Sequence, residues 1–193
     1  MSLKKTLLIL GAGGHGKAVA EAAMLSGEWQ RVCFADDRWP ELKESFNCPV
    51  IANSFTLAEV AGTVDAAIAA VGNNVLREQW LATLQREGFP VATVVHPSAS
   101  VSASAVLGAG STIMALAMVG VDARIGCGAI VNAHATVDHD ACLGEFAHLG
   151  VGVHIAGGVQ VGAKAWLQAG CSAGYRVVIA EGEVLAPGTV LTA

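Results

Sequence analysis

Charge is scarce in this chain. Asp, Glu, Lys and Arg make up only 14% of its 193 residues, and mean hydropathy is +0.55. After residue 95 the basic side chains are only Arg124, Lys164 and Arg176, and the net charge is −5. Nucleic acid, which needs a basic face, is not expected as a partner. CxxC spacing is also lacking. The five cysteines (Cys33, Cys48, Cys127, Cys142 and Cys171) are odd in number and scattered, so they read as free thiols in a reducing compartment. The stretch 97–121 carries no charge until Asp122 and is long enough to cross a bilayer. Ser, Gly and Ala interrupt it, and no membrane span is expected. The first apolar run, Thr6 to Leu10, is too short for a signal peptide. These absences point to a cytoplasmic protein.

What is present is a period. From Val95 to Leu191 every sixth residue is Val, Leu or Ile, with Ala173 as the one exception. A second track four residues later, from Ala99 to Cys171, is mostly small. Neither a helix nor an alternating strand repeats every six residues; a hexapeptide parallel β-helix does. The aliphatic residue points into the prism, the small one fits the corner beside it, and residues eighteen apart stack.

Residues 1–94 read differently. Thr6–Leu10, Arg31–Ala35, Asp65–Val71 and Val91–Val95 are predicted strands. Lys17–Ser26 and Asn74–Glu87 are predicted helices, with Gly88 as a C-terminal glycine. Alternating strands and helices imply a small Rossmann-like α/β domain over residues 1–94, followed by the β-helix over 95–193.

Two patterns carry chemistry. Gly11-Ala-Gly-Gly-His-Gly16 fits G-x-G-x-x-G between a strand and a helix. Its glycines let backbone approach an anion at a helix N-terminus, and Asp36 or Asp37 can hold a ribose or a base. A bare turn and an NAD site compete with a nucleotide-linked substrate, which is preferred because no dehydrogenase-type second domain follows. The second pattern is a histidine cluster: His134, His139, His148 and His154. His139 lies between Asp138 and Asp140, and a neighbouring carboxylate fixes an imidazole tautomer and favours its charged form. A general base is one reading. Surface histidines, a carbonic-anhydrase-type metal site including His96, and a nucleophilic Cys142 are the others. The preferred reading is no metal and His139 as base.

With these motifs in place, the chain resembles the hexapeptide-repeat, left-handed β-helix sugar acetyltransferases that carry an N-terminal Rossmann-like domain. That group includes nucleotide-4-amino-sugar N-acetyltransferases and sialic acid O-acetyltransferases. The resemblance rests on the glycine loop, Asp36-Asp37, Val71-Gly-Asn-Asn74, and above all the segment Val137 to His148. It implies acetyl-CoA as donor, a UDP-linked 4-amino-sugar as acceptor, and a homotrimer with active sites between subunits. It implies His139 as base tuned by Asp140, and His148 and Ala169 at the acetyl-CoA. Gly13, Gly14, His15, Asp36, Asp37 and Asn73 would form the nucleotide-sugar pocket. O-acetylation of a sugar or sialic acid is the alternative, and a non-catalytic binding trimer a further one. Two departures stand out. Asp140 replaces a longer Glu found in some members, so weaker reach to His139 is expected. The sequence given stops at Leu191-Thr-Ala193, before the tail that usually holds the CoA adenine; if nothing follows Ala193, weaker CoA affinity is expected, or a contact supplied from elsewhere.

Overall fold

The computed structural model describes residues 5–192. They form two compact units that divide between Val94 and Val95. The parallel strands of the first unit are each built from an apolar run. β1 (Thr6–Leu10), β2 (Arg31–Ala35), β4 (Cys48–Ala52) and β5 (Ala66–Ala69) pair in parallel. The short β3 (Glu44–Ser45) adds an antiparallel edge, giving the order β3-β4-β2-β1-β5. Leu7 to Leu10, Phe34 and Ile68 are fully buried. Strand β1 is flanked by β2 on one side and β5 on the other, so the strand order reverses beyond its carboxyl end. Open α/β sheets bind ligands at such a point.

Helix α1 spans Gly14–Ser26, and α2 spans Asn74–Arg86. The first begins three residues earlier than the Lys17 expected from sequence. Gly14-His15-Gly16 adopts helical geometry, so the glycine loop supplies the helix's own first turn. Gly16 is required there: an added Cβ would overlap the Gly11 carbonyl oxygen. The β3–β4 pair was not anticipated, since Pro49 and the brevity of Glu44–Ser45 hide it.

The second unit is a left-handed β-helix. Strands of two residues recur every six, from β6 (Val94–Val95) to β22 (Val190–Leu191), and they stack into three parallel sheets. Residues eighteen apart pair, as in Thr136 with His154 and His154 with Ser172. The aliphatic track and the small track together form one buried column of core, including Val119, Val137, Leu149, Ile155 and Leu167 with Ala123, Ala135, Ala141 and Ala147. The stretch 97–121 is folded into these coils, and no helix among the described residues is long and apolar enough to cross a membrane.

The corners follow a rule not seen in the sequence. From Gly110 to Gly188 every sixth residue has positive φ. Glycines fill half of these places, but Leu116, Asp122, His134, Asp140, Phe146, Lys164 and Arg176 take the same conformation. Non-glycine residues pay about 1–2 kcal/mol for it, so coil stacking must hold them there. Leu149 has no exposed surface. Leu149→Ala is therefore expected to lower unfolding free energy by about 2–5 kcal/mol, read from urea unfolding of the β-helix signal. A change below about 1 kcal/mol would mean that the column is loosely packed.

Candidate active site

In the first unit, a cavity of about 250 Å³ opens at the carboxyl end of β1. Gly11, Gly13, Gly14, His15, Asp36, Arg38, Ala70, Val71, Gly72 and Trp80 line it. Gly13 and Gly14 have open space where a side chain would stand, which is what a ligand lying on backbone requires. A cavity of about 490 Å³ lies around Thr6, Arg31, Cys33 and Cys48. It opens at the amino ends of the strands, the end not used by open α/β sheets for ligands. Its thiols are poor nucleophiles: burial, aided by Cys48, pushes Cys33 up to about 12.

Asp36 is a clamp. Its Oδ2 accepts the Ala12 N–H at 2.8 Å, and Arg38 grips both oxygens, Nε to Oδ1 at 2.7 Å and a terminal nitrogen to Oδ2 at 3.0 Å. The Arg38 hydrogen bonds, with the Ala12 amide, hold the carboxyl down at about 2 against the cost of burial. Asp36 thus holds the glycine loop and aims Arg38 while itself lining the cavity. Arg38 escaped the sequence reading, although it follows Asp36-Asp37 directly. Asp37 Oδ1 accepts the Ser54 N–H at 3.0 Å and does not line the cavity. Asn73 caps α2 through the Leu76 N–H at 2.9 Å and likewise lies off the lining. Buried Arg77 binds the Val71 carbonyl at 2.9 Å and Asn74 Oδ1 at 2.8 Å. It fixes the loop that walls the cavity, and burial lowers its pKa to about 10.

In the second unit, His139 stands on the corner after β13 (Thr136–Val137). Its Nδ1 lies 2.7 Å from Asp140 Oδ2. The shorter carboxylate reaches after all, contrary to the expectation from its length. Positive φ at Asp140 (58°) turns it back towards the ring. Both side chains are half-exposed or more, 52% and 66%. The Asp140 hydrogen bond first, then the nearby Asp138 charge, raise the imidazole above its ordinary pKa. With Nδ1 engaged, Nε2 is the nitrogen left for proton transfer.

The other histidines do not join it. His148 lies on β15 (His148–Leu149), stacked on Trp166 with centroids 5.7 Å apart and planes 11° apart. His154 Nδ1 meets Thr136 Oγ1 at 3.0 Å on another side, where it lines a cavity of about 450 Å³ with Asp138 and Ser172. No group of three or more His, Cys, Asp or Glu suited to a metal occurs among the described residues. Cys142 stands on β14 (Cys142–Leu143), between Arg124 and Gln160 in the ladder. Ala169 is exposed at a third corner, its carbonyl accepting the Gly188 N–H at 2.9 Å.

A β-helix of hexads with a carboxylate-bound histidine on an open corner, joined to an α/β unit with a glycine-loop cavity, marks the class of hexapeptide acyltransferases. Comparison with known proteins sharpens this. Residues 6–84 match the PglD N-terminal domain family. Perosamine N-acetyltransferase from Caulobacter crescentus, solved as a histidine-to-asparagine variant with CoA and GDP-perosamine, is 31% identical. The match covers 96% of this chain and 90% of that one, with a TM-score of 0.85. The acetyltransferase domain of PglB from Neisseria gonorrhoeae, solved with acetyl coenzyme A, is 33% identical over 96% and 98%, with a TM-score of 0.82. UDP-N-acetylbacillosamine N-acetyltransferase of Bacillus subtilis is 34% identical over 116 residues, 58% of this chain and 52% of that protein. The chain thus matches about half the length of that curated relative. The chain belongs to the hexapeptide-repeat sugar acetyltransferases with a PglD-type N-terminal domain.

The clamp has a pH signature. A depressed carboxyl contributes stability that is full above the unfolded value near 4 and is lost as pH falls towards about 2. The stability difference between the protein and Asp36→Asn, from denaturant titrations, is expected to be full at pH 6 and smaller at pH 3. A difference independent of pH would contradict the clamp.

Proposed function

We propose that this chain is an acetyl-CoA-dependent N-acetyltransferase acting on a nucleotide-linked 4-amino-sugar, with UDP as the nucleotide. The observation that carries the reading is the His139–Asp140 pair at 2.7 Å on an open corner. The named relatives support it: one holds CoA with a nucleotide-linked sugar and another holds acetyl coenzyme A.

The nucleotide end of the acceptor lies over Gly13, Gly14 and His15. There the N-terminus of α1 offers free N–H groups to a phosphate. Arg38, aimed by Asp36, adds a charged donor for the diphosphate. On the β-helix, Gly152, Gly170 and Gly188 repeat at one corner with open space beyond each. With Ala169 they leave a smooth track suited to an extended pantetheine arm, and His148 on Trp166 lies on the neighbouring sheet. Bound acetyl-CoA would supply the activated acetyl group as a thioester. His139 Nε2 takes the proton from the attacking amine, and Asp140 stabilises the imidazolium that forms. The C–N bond forms, the C–S bond breaks, and the imidazolium returns its proton to the departing thiolate. Direct transfer needs no protein nucleophile. A homotrimer that completes the site between copies belongs to the same proposal.

His139→Ala is expected to lower kcat by about two to four orders of magnitude; full activity would sink the assignment. The base must be neutral to act, and its pKa is raised. The acid limb of kcat/KM should therefore sit above the ordinary histidine value of about 6.5, and Asp140→Asn should move it down. An unmoved limb would remove Asp140 from this role. Arg38→Ala should raise KM for the nucleotide-sugar about tenfold or more, the worth of one charged hydrogen bond, with kcat nearly unchanged. An unchanged KM would take Arg38 out of the acceptor site.

A further inference from the structure

We propose that Tyr175 is a positioning residue for His139, and that Gly157 is the notch in which their two rings meet. The kinetic part of this inference rests on the acetyl-transfer reading above; the geometric part does not. The eighteen-residue stack puts positions 139, 157 and 175 on one corner in three successive coils, each about 4.8 Å above the last. Of these, Gly157 has no side chain, and both rings lean into the space it leaves. A Cβ built on Gly157 would stand 2.5 Å from His139 Nε2, 2.6 Å from its Cε1 and 3.1 Å from Tyr175 Cε1. The ring centroids are 6.4 Å apart and the planes are tilted by 46°. The imidazole edge therefore lies over bare backbone at Gly157, with the tilted phenol ring as its neighbour on the next coil and the rest of the half-exposed ring open.

The need for a second support is physical. His139 is held at Nδ1 by one carboxylate that is itself 66% exposed. A single hydrogen bond on an open corner leaves the ring free to swing about its Cα–Cβ bond. Contact at the opposite edge removes that freedom. Tyr175 can supply it because its own corner is rigid. Arg176 has positive φ (57°), and its N–H donates to the Gly157 carbonyl at 3.1 Å, tying the two coils together beside the notch. Tyr175, the only tyrosine of the sequence, is 64% exposed and has the imidazole as its ring neighbour. Packing on the imidazole gives it a reason to be there. The contact is made by the ring edge, so phenylalanine should serve as well.

The test uses the full chain as wild type, Tyr175→Ala, Tyr175→Phe and Gly157→Ala, with acetyl-CoA and a UDP-4-amino-sugar. Tyr175→Ala is expected to lower kcat about tenfold, the scale of a sub-ångström misplacement, with both KM values within about twofold. Tyr175→Phe should restore kcat to within about twofold, and Gly157→Ala should fall at least as far as Tyr175→Ala. A second readout needs no turnover: ¹⁵N–¹H spectra of the imidazole, assigned by loss in His139→Asn. The His139 resonances should move in Tyr175→Ala and stay in place in Tyr175→Phe. Unchanged kcat and spectra in Tyr175→Ala would overturn the proposal, as would a loss confined to KM, or a Phe variant as poor as Ala. A wild type that transfers no acetyl group would fail the functional reading alone, because the spectra would still decide the positioning role.

Discussion

The stacking of hexads in fixed phase is the constraint on which the second unit depends. Each coil must bury an aliphatic residue at the same three places, so the chain has no freedom to slip by one residue without turning that column outwards. Val119, Val137 and Ile155 follow one another in the core for this reason. The same phase then decides what stands over what on the surface. His139 is placed beneath Gly157 and Tyr175 by the packing of Val137 beneath Ile155. The corner conformation is imposed in the same way, on Leu116 and Arg176 as well as on glycines.

A second device appears in both units. A short carboxylate holds a nearby basic side chain at a fixed angle: Asp36 with Arg38, two residues on, and Asp140 with His139, its neighbour. Both pairs lie where the chain turns sharply, and each spends its carboxylate on orientation. The consequences differ in sign. Asp36 is made a stronger acid by its partner, whereas His139 is made a stronger base by its own. One device thus fixes a cation at the glycine loop and an imidazole on the β-helix corner.

Much of this was legible in the sequence because burial repeats. A six-residue period in Val, Leu and Ile has one structural meaning, and the β-helix followed directly. G-x-G-x-x-G between a strand and a helix was equally plain. Side-chain partners were not legible. Asp36, Asp37 and Asn73 are residue types that bind ligands; within the chain they bind Ala12 and Arg38, Ser54, and Leu76, and of the three Asp36 lines the cavity. Nothing in composition distinguishes a carboxylate that faces a ligand from one that holds a loop. The start of α1 was placed late because three glycines argue against helix by propensity, while the close approach of Gly16 to Gly11 demands one. Gly157 and Tyr175 were within reach: they lie eighteen and thirty-six residues beyond His139, and the stacking period names them.

The proposed reaction is the transfer of an acetyl group from acetyl-CoA to a sugar amine. The most direct measurement is thiol release from acetyl-CoA on incubation with a UDP-4-amino-sugar, with the mass of the sugar product read alongside. N-acetyl transfer predicts thiol release matched by a product heavier by one acetyl group on nitrogen. Release only with a hydroxyl acceptor, or no release while acetyl-CoA is shown to bind, would contradict it.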